Sequence, residues 1–221
     1  PYGFVGSSLV DFLKNKAKYK LYKIDRNYLK SFSTNLKLDC LFHCANSGNK
    51  RSVNEDSIND IINSLKLIQV IKKKIITKKL VLISTISARL ENNSYGLNRK
   101  IIEDYTLKVF DNSLVIRLPV LFNSKQKRGI LWDILNSKNI YISKSSLVNP
   151  ISSLQMSRLV LSKIKHNGIL EIGADKSITL GDIAKIVKSR SNFTGNKFNL
   201  LSKNYCEDAK LDILLRQIKN F

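Results

Sequence analysis

The sequence is short of cysteine, of long apolar runs and of acidic residues. Three cysteines, Cys40, Cys44 and Cys206, stand in 221 residues with no spacing that suggests a disulfide framework. That excludes a cystine-stapled secreted scaffold and fits a reducing compartment, the cytoplasm. No apolar run reaches the length of a membrane span, and no signal peptide is visible. Acidic side chains number 17 against 38 lysines and arginines, a formal net charge of +21. Such an excess points first toward nucleic acid. Lysine outnumbers arginine about three to one, however, and the lysines are scattered. Nucleic-acid sites favour arginine and aromatic platforms gathered in a patch. The densest run, Lys72 to Lys74 with Lys78 and Lys79, falls where a helix should end, and cations there suit the helix dipole. Nucleic acid is therefore not expected as the main partner. Internal repeats and low-complexity linkers are also missing. Cys40, His43 and Cys44 lie close together, but tetrahedral zinc needs four ligands and no second cluster exists, so no metal is expected.

What is present is an ordinary core. At 221 residues and 43% hydrophobic content the chain can bury one domain, or one with a small appendage. Strand-like apolar runs alternate with longer helical ones, the signature of βαβ units and a parallel sheet. Helices are expected over 7–20, 57–72, 98–110, 130–135, 153–166, 179–189 and 208–221. Strands are expected over 21–24, 40–45, 80–84, 114–118, 139–142 and 169–172. Thr179, with Asp182 three residues on, caps its helix. The interval from Asp25 to Cys40 is too short for a full βα unit.

Four stretches carry chemistry. Gly3-Phe4-Val5-Gly6 opens the first helix; glycines there let backbone approach a pyrophosphate, and the helix start offers free N–H groups. An ordinary glycine turn would read the same way. Asp25 ends the next strand at the spacing of an acid that binds adenosine ribose hydroxyls, which favours NAD; Arg26 beside it would instead receive the 2′-phosphate of NADP. A solvent-facing Asp-Arg turn is the plainer alternative. Leu80 to Ser84 ends in the hydroxyls of Ser84 and Thr85, which are often mere turn formers. Nine residues later comes Ser94-Tyr95-Gly96-Leu97-Asn98-Arg99-Lys100. Spacing of four puts Tyr95 and Arg99 on one helical face, where a fixed cation makes a phenol a better acid and base.

Taken in order, these stretches resemble the extended short-chain dehydrogenases/reductases, the NAD(P)-dependent epimerases, dehydratases and reductases of sugar nucleotides. The first is similar to that family's Gly-x-x-Gly-Phe-[Ile/Val]-Gly, and Tyr95 to Arg99 to its Tyr-x-x-x-Lys. Leu38 to Asn46 is similar to its fourth strand, and Leu114 to Asn123 to its strand Leu-Arg-x-x-Asn-Val-Tyr-Gly. The resemblance implies a Rossmann-like doubly wound parallel sheet with a small C-terminal substrate-side region: residues 1–123 the dinucleotide-binding core, and 124–221 the substrate side plus a returning helix and strand. It implies NAD, with NADP open, bound by Gly3, Phe4, Val5, Gly6, Asp25, Arg26, Cys44, Ala45 and Pro119. It implies catalysis by Thr85 (Ser84 the alternative), Tyr95 and Arg99 on a nucleotide sugar, in surface polysaccharide synthesis. Arg117, Lys125, Lys127, Arg128 and Arg158 would face its diphosphate. Relatives pair as homodimers through the tyrosine-bearing helix.

The departures matter as much. The family's lysine position holds Arg99, and Lys100 is one step further, about 100° around the helix. A guanidinium supplies charge but cannot relay a proton. Either Arg99 substitutes, or Lys100 reaches in, or the chain is a non-catalytic dinucleotide-binding module. No Asp-Glu follows Thr85 as in many dehydratases, which tilts the expectation to epimerase or reductase. The family's first glycine would precede Pro1, so the first strand is expected upstream, and the 221-residue chain alone is expected to be poorly soluble or inactive.

Overall fold

The structure, a computed structural model, describes residues 2–14, 16–31, 36–123 and 127–220, with Arg26 described in its backbone alone. It divides into two compact units. The first is Pro1–Arg117 with Val160–Leu170, the second Leu118–Leu159 with Glu171–Phe221.

The first unit begins with α1 (Phe4–Leu13), which buries Gly6, Leu9 and Leu13. It starts at Phe4 and stops at Leu13, where the pattern predicts 7–20. The expected strand over 21–24 is not formed, and Lys16 to Lys23 is exposed throughout. Four lysines in those eight residues leave too little apolar surface to hold either element against a core. Then come α2 (Arg26–Ser31), β1 (Leu36–Leu38) and β2 (Leu41–His43). Helices α3 (Lys50–Glu55) and α4 (Ser57–Lys74) follow, then β3 (Ile75–Thr77), β4 (Leu80–Thr85), α5 (Ser87–Leu90), α6 (Ser94–Val109) and β5 (Ser113–Leu118). Lys72, Lys73 and Lys74 do occupy the last turn of α4.

The central sheet has the order β2-β4-β5-β9, where β9 is Gly168–Glu171. Strand β2 runs parallel to β4, and β1 runs parallel to β3 with the same register offset. So β1 and β2 are one strand interrupted at Asp39 and Cys40, and β3 and β4 are its partner interrupted at Lys78 and Lys79. The buried side of β2 is Leu41 and His43, while Cys40, Phe42 and Cys44 are half-buried. Strand β4 is buried from Leu80 to Ser84, as the middle strand of a sheet covered on both faces must be. Ile68 and Ile71 of α4 and Ile102 of α6 close on Leu80, Leu82 and Val115 to make the core.

The second unit contains β6 (Leu121–Phe122), α7 (Ile130–Leu135), β7 (Leu147–Val148), β8 (Ile151–Ser152), α8 (Ser153–Ser162), β10 (Ile178–Thr179), α9 (Leu180–Ile186) and α10 (Leu211–Lys219). The division between units falls inside β5, α8 and β9. Strand β6 pairs in parallel with β8, and β10 antiparallel with β7. Thr179 caps α9 as expected, accepting from the Asp182 amide at 3.0 Å. The strand expected over 139–142 is reduced to one bridge, Ile140 to Phe193. Among the described residues no helix is long and apolar enough to cross a membrane, and no cluster of metal-ligating side chains occurs.

Candidate active site

The start of α6 builds the site. Asn93 caps the helix, its side chain accepting from the Gly96 amide at 3.0 Å. The Tyr95 amide donates to Asn54 Oδ1 at 2.9 Å. These bonds start the helix at Ser94, four residues before the apolar period does. Tyr95 and Arg99 therefore both lie within its first turns. Tyr95 is 6% exposed, which excludes an ordinary solvent-facing tyrosine. Gly96 has its own reason. A Cβ there would stand 2.1 Å from the Glu91 carbonyl oxygen and 2.8 Å from that of Ser87. The short segment between Thr85 and Tyr95 can pack on the helix only where no side chain intervenes.

Two cations flank the Tyr95 ring. The Arg99 guanidinium lies 5.3 Å from its centre and the Lys50 ammonium, from α3, 5.6 Å. Arg99 is 1% exposed. Its Nη2 is ion-paired with Asp60 on α4, and its Nη1 donates to the Ser47 carbonyl at 3.5 Å. Asn98 Nδ2 donates to the same Asp60 carboxylate at 3.1 Å and to the Ser57 carbonyl at 2.8 Å. Lys50 is ion-paired with Glu91, which also accepts from Ser87 Oγ at 2.7 Å and Asn93 Nδ2 at 3.1 Å. Burial pushes the Glu91 carboxyl up, but the hydrogen bonds from Lys50 and Ser87 outweigh it and hold the group below the usual carboxylate range. Lys100 is exposed. Of the two adjacent basic residues Arg99 and Lys100, Arg99 faces Tyr95 and Lys100 does not.

Thr85, half-buried at the end of β4, accepts from the Ser87 amide at 3.2 Å, a turn-forming contact. Ser84 donates to Glu103 at 2.5 Å. Glu103 is fully buried and receives Arg117 through Nε at 3.0 Å and Nη2 at 2.6 Å. The expectation that Arg117 meets a diphosphate is corrected: its guanidinium is committed to Glu103, because a buried carboxylate requires a counter-charge. Lys127, Arg128 and Arg158 are exposed, and Lys125 lies outside the described residues.

The candidate cofactor residues are more dispersed. Gly3 caps α1 in extended backbone with no side-chain hydrogen bond, and a Cβ on it would meet nothing within 4 Å. Nothing in the chain itself requires glycine there. Phe4 and Val5 are half-buried and Gly6 is buried. Asp25 does not end a strand. It precedes α2, and its Oδ1 accepts from the Tyr28 amide at 2.7 Å. The Arg26 side chain lies outside the described residues. Ala45 is exposed, and Cys44 is half-buried with its thiol pushed up to about 12 by burial, so it is an inert thiol. Pro119 is buried in the link from β5 to β6.

Sequence reasoning missed Asp60, Lys50, Glu91 and Glu103. It also missed three buried polar atoms that have no hydrogen-bond partner among the described residues: His43 Nε2, Asn46 Nδ2 and Arg99 Nε. Arg99 links them, since it touches Ser47 beside Asn46, and its charge acts on His43. The His43 imidazole is pushed down to about 4 by burial first and by Arg99 second, so it is neutral at physiological pH. Two donors and an imidazole nitrogen left unpaired at the end of β2 fit a ligand that offers hydroxyl and carbonyl oxygens.

No protein-family model and no curated protein matches the sequence. Solved structures do. MoeE5 in complex with UDP-glucose and NAD superposes with a TM-score of 0.73 at 15% identity, over 98% of this chain and 95% of that one. The UDP-N-acetylglucosamine 4-epimerase from Methanobrevibacter ruminantium M1 gives 0.71 at 15% identity, over 98% and 93%. RMD from Pseudomonas aeruginosa complexed with NADPH gives 0.73 at 13% identity, over 99% and 96%. The chain thus has the Rossmann-type α/β fold of these structures, and the resemblance read from its motifs holds at the level of fold.

Proposed function

We propose that this protein, with the fold of sugar-nucleotide epimerases and reductases, is itself an NAD(P)-dependent epimerase or reductase of a nucleotide sugar. The observation that carries the reading is the buried Tyr95 with the Arg99 guanidinium 5.3 Å from its ring centre. Bound NAD or NADP would supply the hydride chemistry. Tyr95 would take the proton from a sugar hydroxyl as its carbon gives up hydride, and return it when hydride returns. Thr85 would orient that hydroxyl oxygen, exchanging its turn contact with the Ser87 amide for one to the substrate. Arg99 would hold the phenol side charged while Asn46 and His43 bind oxygens of the ribose and nicotinamide. The first turn of α1, from Gly3 to Gly6, would receive the pyrophosphate, whose oxygens suit uncapped helix N–H groups. Asp25 keeps one carboxylate oxygen outside its helix-capping bond for an adenosine ribose, which favours NAD. Cys44, Ala45 and Pro119 would line the cofactor. Residues 1–123 would then be the dinucleotide-binding core and 124–221 the substrate side plus a returning helix and strand, in a cytoplasmic enzyme of surface polysaccharide synthesis.

The test is direct. NADH should bind with micromolar affinity by fluorescence, and incubation with NAD and UDP-glucose, UDP-galactose or UDP-N-acetylglucosamine should exchange the epimers. Tyr95→Phe should abolish exchange while leaving NADH binding within about threefold. NADH binding without turnover on any nucleotide sugar would favour a non-catalytic module, the reading supported by the turn contact that occupies Thr85. A second copy of this chain is the proposed partner. Ile58 and Ile62 of α4 and Leu97 and Ile101 of α6 are exposed on packed helices, and Lys100 and Asp104 beside them would pair reciprocally across a two-fold axis. Light scattering should give twice the chain mass, and Ile101→Lys should return the monomer.

A further inference from the structure

We propose that Lys50, tethered by Glu91, is the ammonium that acts on the Tyr95 phenol, in place of a lysine carried by α6 itself. The inference rests on the reading of Tyr95 as the acid/base group. Its own support is the pair of cations that flank the ring from different elements, Arg99 at 5.3 Å and Lys50 at 5.6 Å.

The two are not equivalent. Arg99 is sealed in the interior with Asp60 as its counter-ion. A guanidinium also cannot release a proton. Lys50 has the complementary properties. Its side chain is 48% exposed, so it exchanges protons with solvent, and an ammonium offers three donors of which the Glu91 bond uses one. Its partner is shared: Ser87 and Asn93 also donate to the Glu91 carboxylate. The placement follows from the chain. Asn49 caps α3 and so fixes Lys50 as its first residue, just after the loop that follows β2. Glu91 is delivered by the short segment whose packing requires Gly96.

Other charged groups on the elements packed around the ring are engaged with partners among the described residues. From α3, Arg51 is engaged with Glu55 at 2.8 Å on the exposed side. From α4, Asp60 acts through Arg99. From the segment after α5 comes Glu91. Within α6, Glu103 is held by Arg117 and Ser84, and β4 ends in the uncharged Ser84 and Thr85. A surface ion pair with no further role would look similar in isolation and would be worth little. It would not, however, act on a buried phenol.

The experiment is an ultraviolet difference titration of the full chain, with the Tyr95→Phe variant subtracted to isolate the Tyr95 phenolate. Lys50→Met should move that titration upward by about one pH unit or more, the size expected for losing a nearby charge. Lys50→Arg should retain most of the wild-type position, and Lys100→Met should not move it. Lys50→Gln repeats the test with a different side chain, and circular dichroism should report an unchanged fold. A Lys50→Met curve that coincides with wild type overturns the proposal, as does an equal shift in Lys100→Met. NADH binding is measured separately on the wild type. Its failure sinks the dinucleotide reading without deciding Lys50, whereas intact NADH binding with an unmoved phenol sinks Lys50 alone.

Discussion

Two stretches of the first unit join a strand pattern to a helix pattern in the sequence, and they end very differently. From Leu80 to Val109 the polypeptide is saturated. Strand β4 is buried, the cap of α6 is fixed by Asn93 and Asn54, and the interior charges are paired, Arg99 with Asp60 and Glu103 with Arg117. From Gly3 to Asp25 it is mostly open, held only where α1 buries Gly6, Leu9 and Leu13. Lys16 to Lys23 is exposed, and its tyrosines are covered by neighbouring lysines rather than by a core, with Lys18 5.9 Å from the Tyr19 ring and Lys20 5.4 Å from the Tyr22 ring. The contrast teaches that strand-forming residues become a strand only when a neighbouring edge and a covered face receive them. It also separates the proposed chemistry, which sits in the saturated stretch, from the proposed phosphate and ribose contacts, which sit in the open one.

The largest expected effect lies in the saturated stretch. Asp60→Ala leaves the Arg99 guanidinium buried without a counter-charge, which should destabilise the fold by about 3–5 kcal/mol in urea unfolding. Asp60→Ala combined with Arg99→Met should recover most of that loss. A single-variant effect under about 1 kcal/mol would mean the pair is no more than a surface contact. Next comes pH. His43 is protonated less readily in the fold, at about 4, than the ordinary imidazole at 6.5. Its stabilising contribution is therefore complete above pH 6.5 and is lost as pH falls toward 4, because the unfolded chain then binds the extra proton. A shift of that size corresponds to roughly 3 kcal/mol. The urea midpoint of the wild type should fall across that window by more than that of His43→Gln. Smaller again is Gly96→Ala. Its Cβ would press on the Glu91 and Ser87 carbonyls, and the loss should be about 1–3 kcal/mol, with the Lys50 tether disturbed as the segment is pushed away.

What the sequence made legible follows the same divide. Tyr95 and Arg99 could be read because a helical period links residues four apart, and Thr179 could be read as a cap from its spacing to Asp182. Asp60 could not. On a helix pattern a lone carboxylate counts as solvent face, and only a partner on another helix, far away in the chain, gives it a place inside. Lys50 and Glu91 are hidden for the same reason, since their meeting depends on how two loops fold. The pattern predicts a strand over 40–45 and not 36–38, because the charged Asp39 breaks the apolar run. The interruption is matched across the ladder by Lys78 and Lys79, a feature of pairing that one strand alone cannot display. The helix start at Ser94 was placed late because apolar periodicity begins after the cap, while the cap itself depends on Asn54 from a separate helix.

The smallest expected effect tests the open stretch and can break the comparison outright. Leu21 and Tyr22 are exposed, so Leu21→Ser and Tyr22→Ser should each change stability by no more than about 0.5 kcal/mol. Leu82→Ser, at a fully buried position of β4, gives the scale for a real strand, about 2–5 kcal/mol or more. A near-zero result for the first pair would mean that the residues from Lys16 to Lys23 carry no part of the core, and that the fold stands on its β2-β4-β5-β9 sheet. A loss of 2 kcal/mol or more at Leu21 would instead mean that this alternating run packs as a strand after all. Asp25 would then stand at a strand end, where an acid reaches a ribose, and the open stretch would join the saturated one as part of a single dinucleotide site.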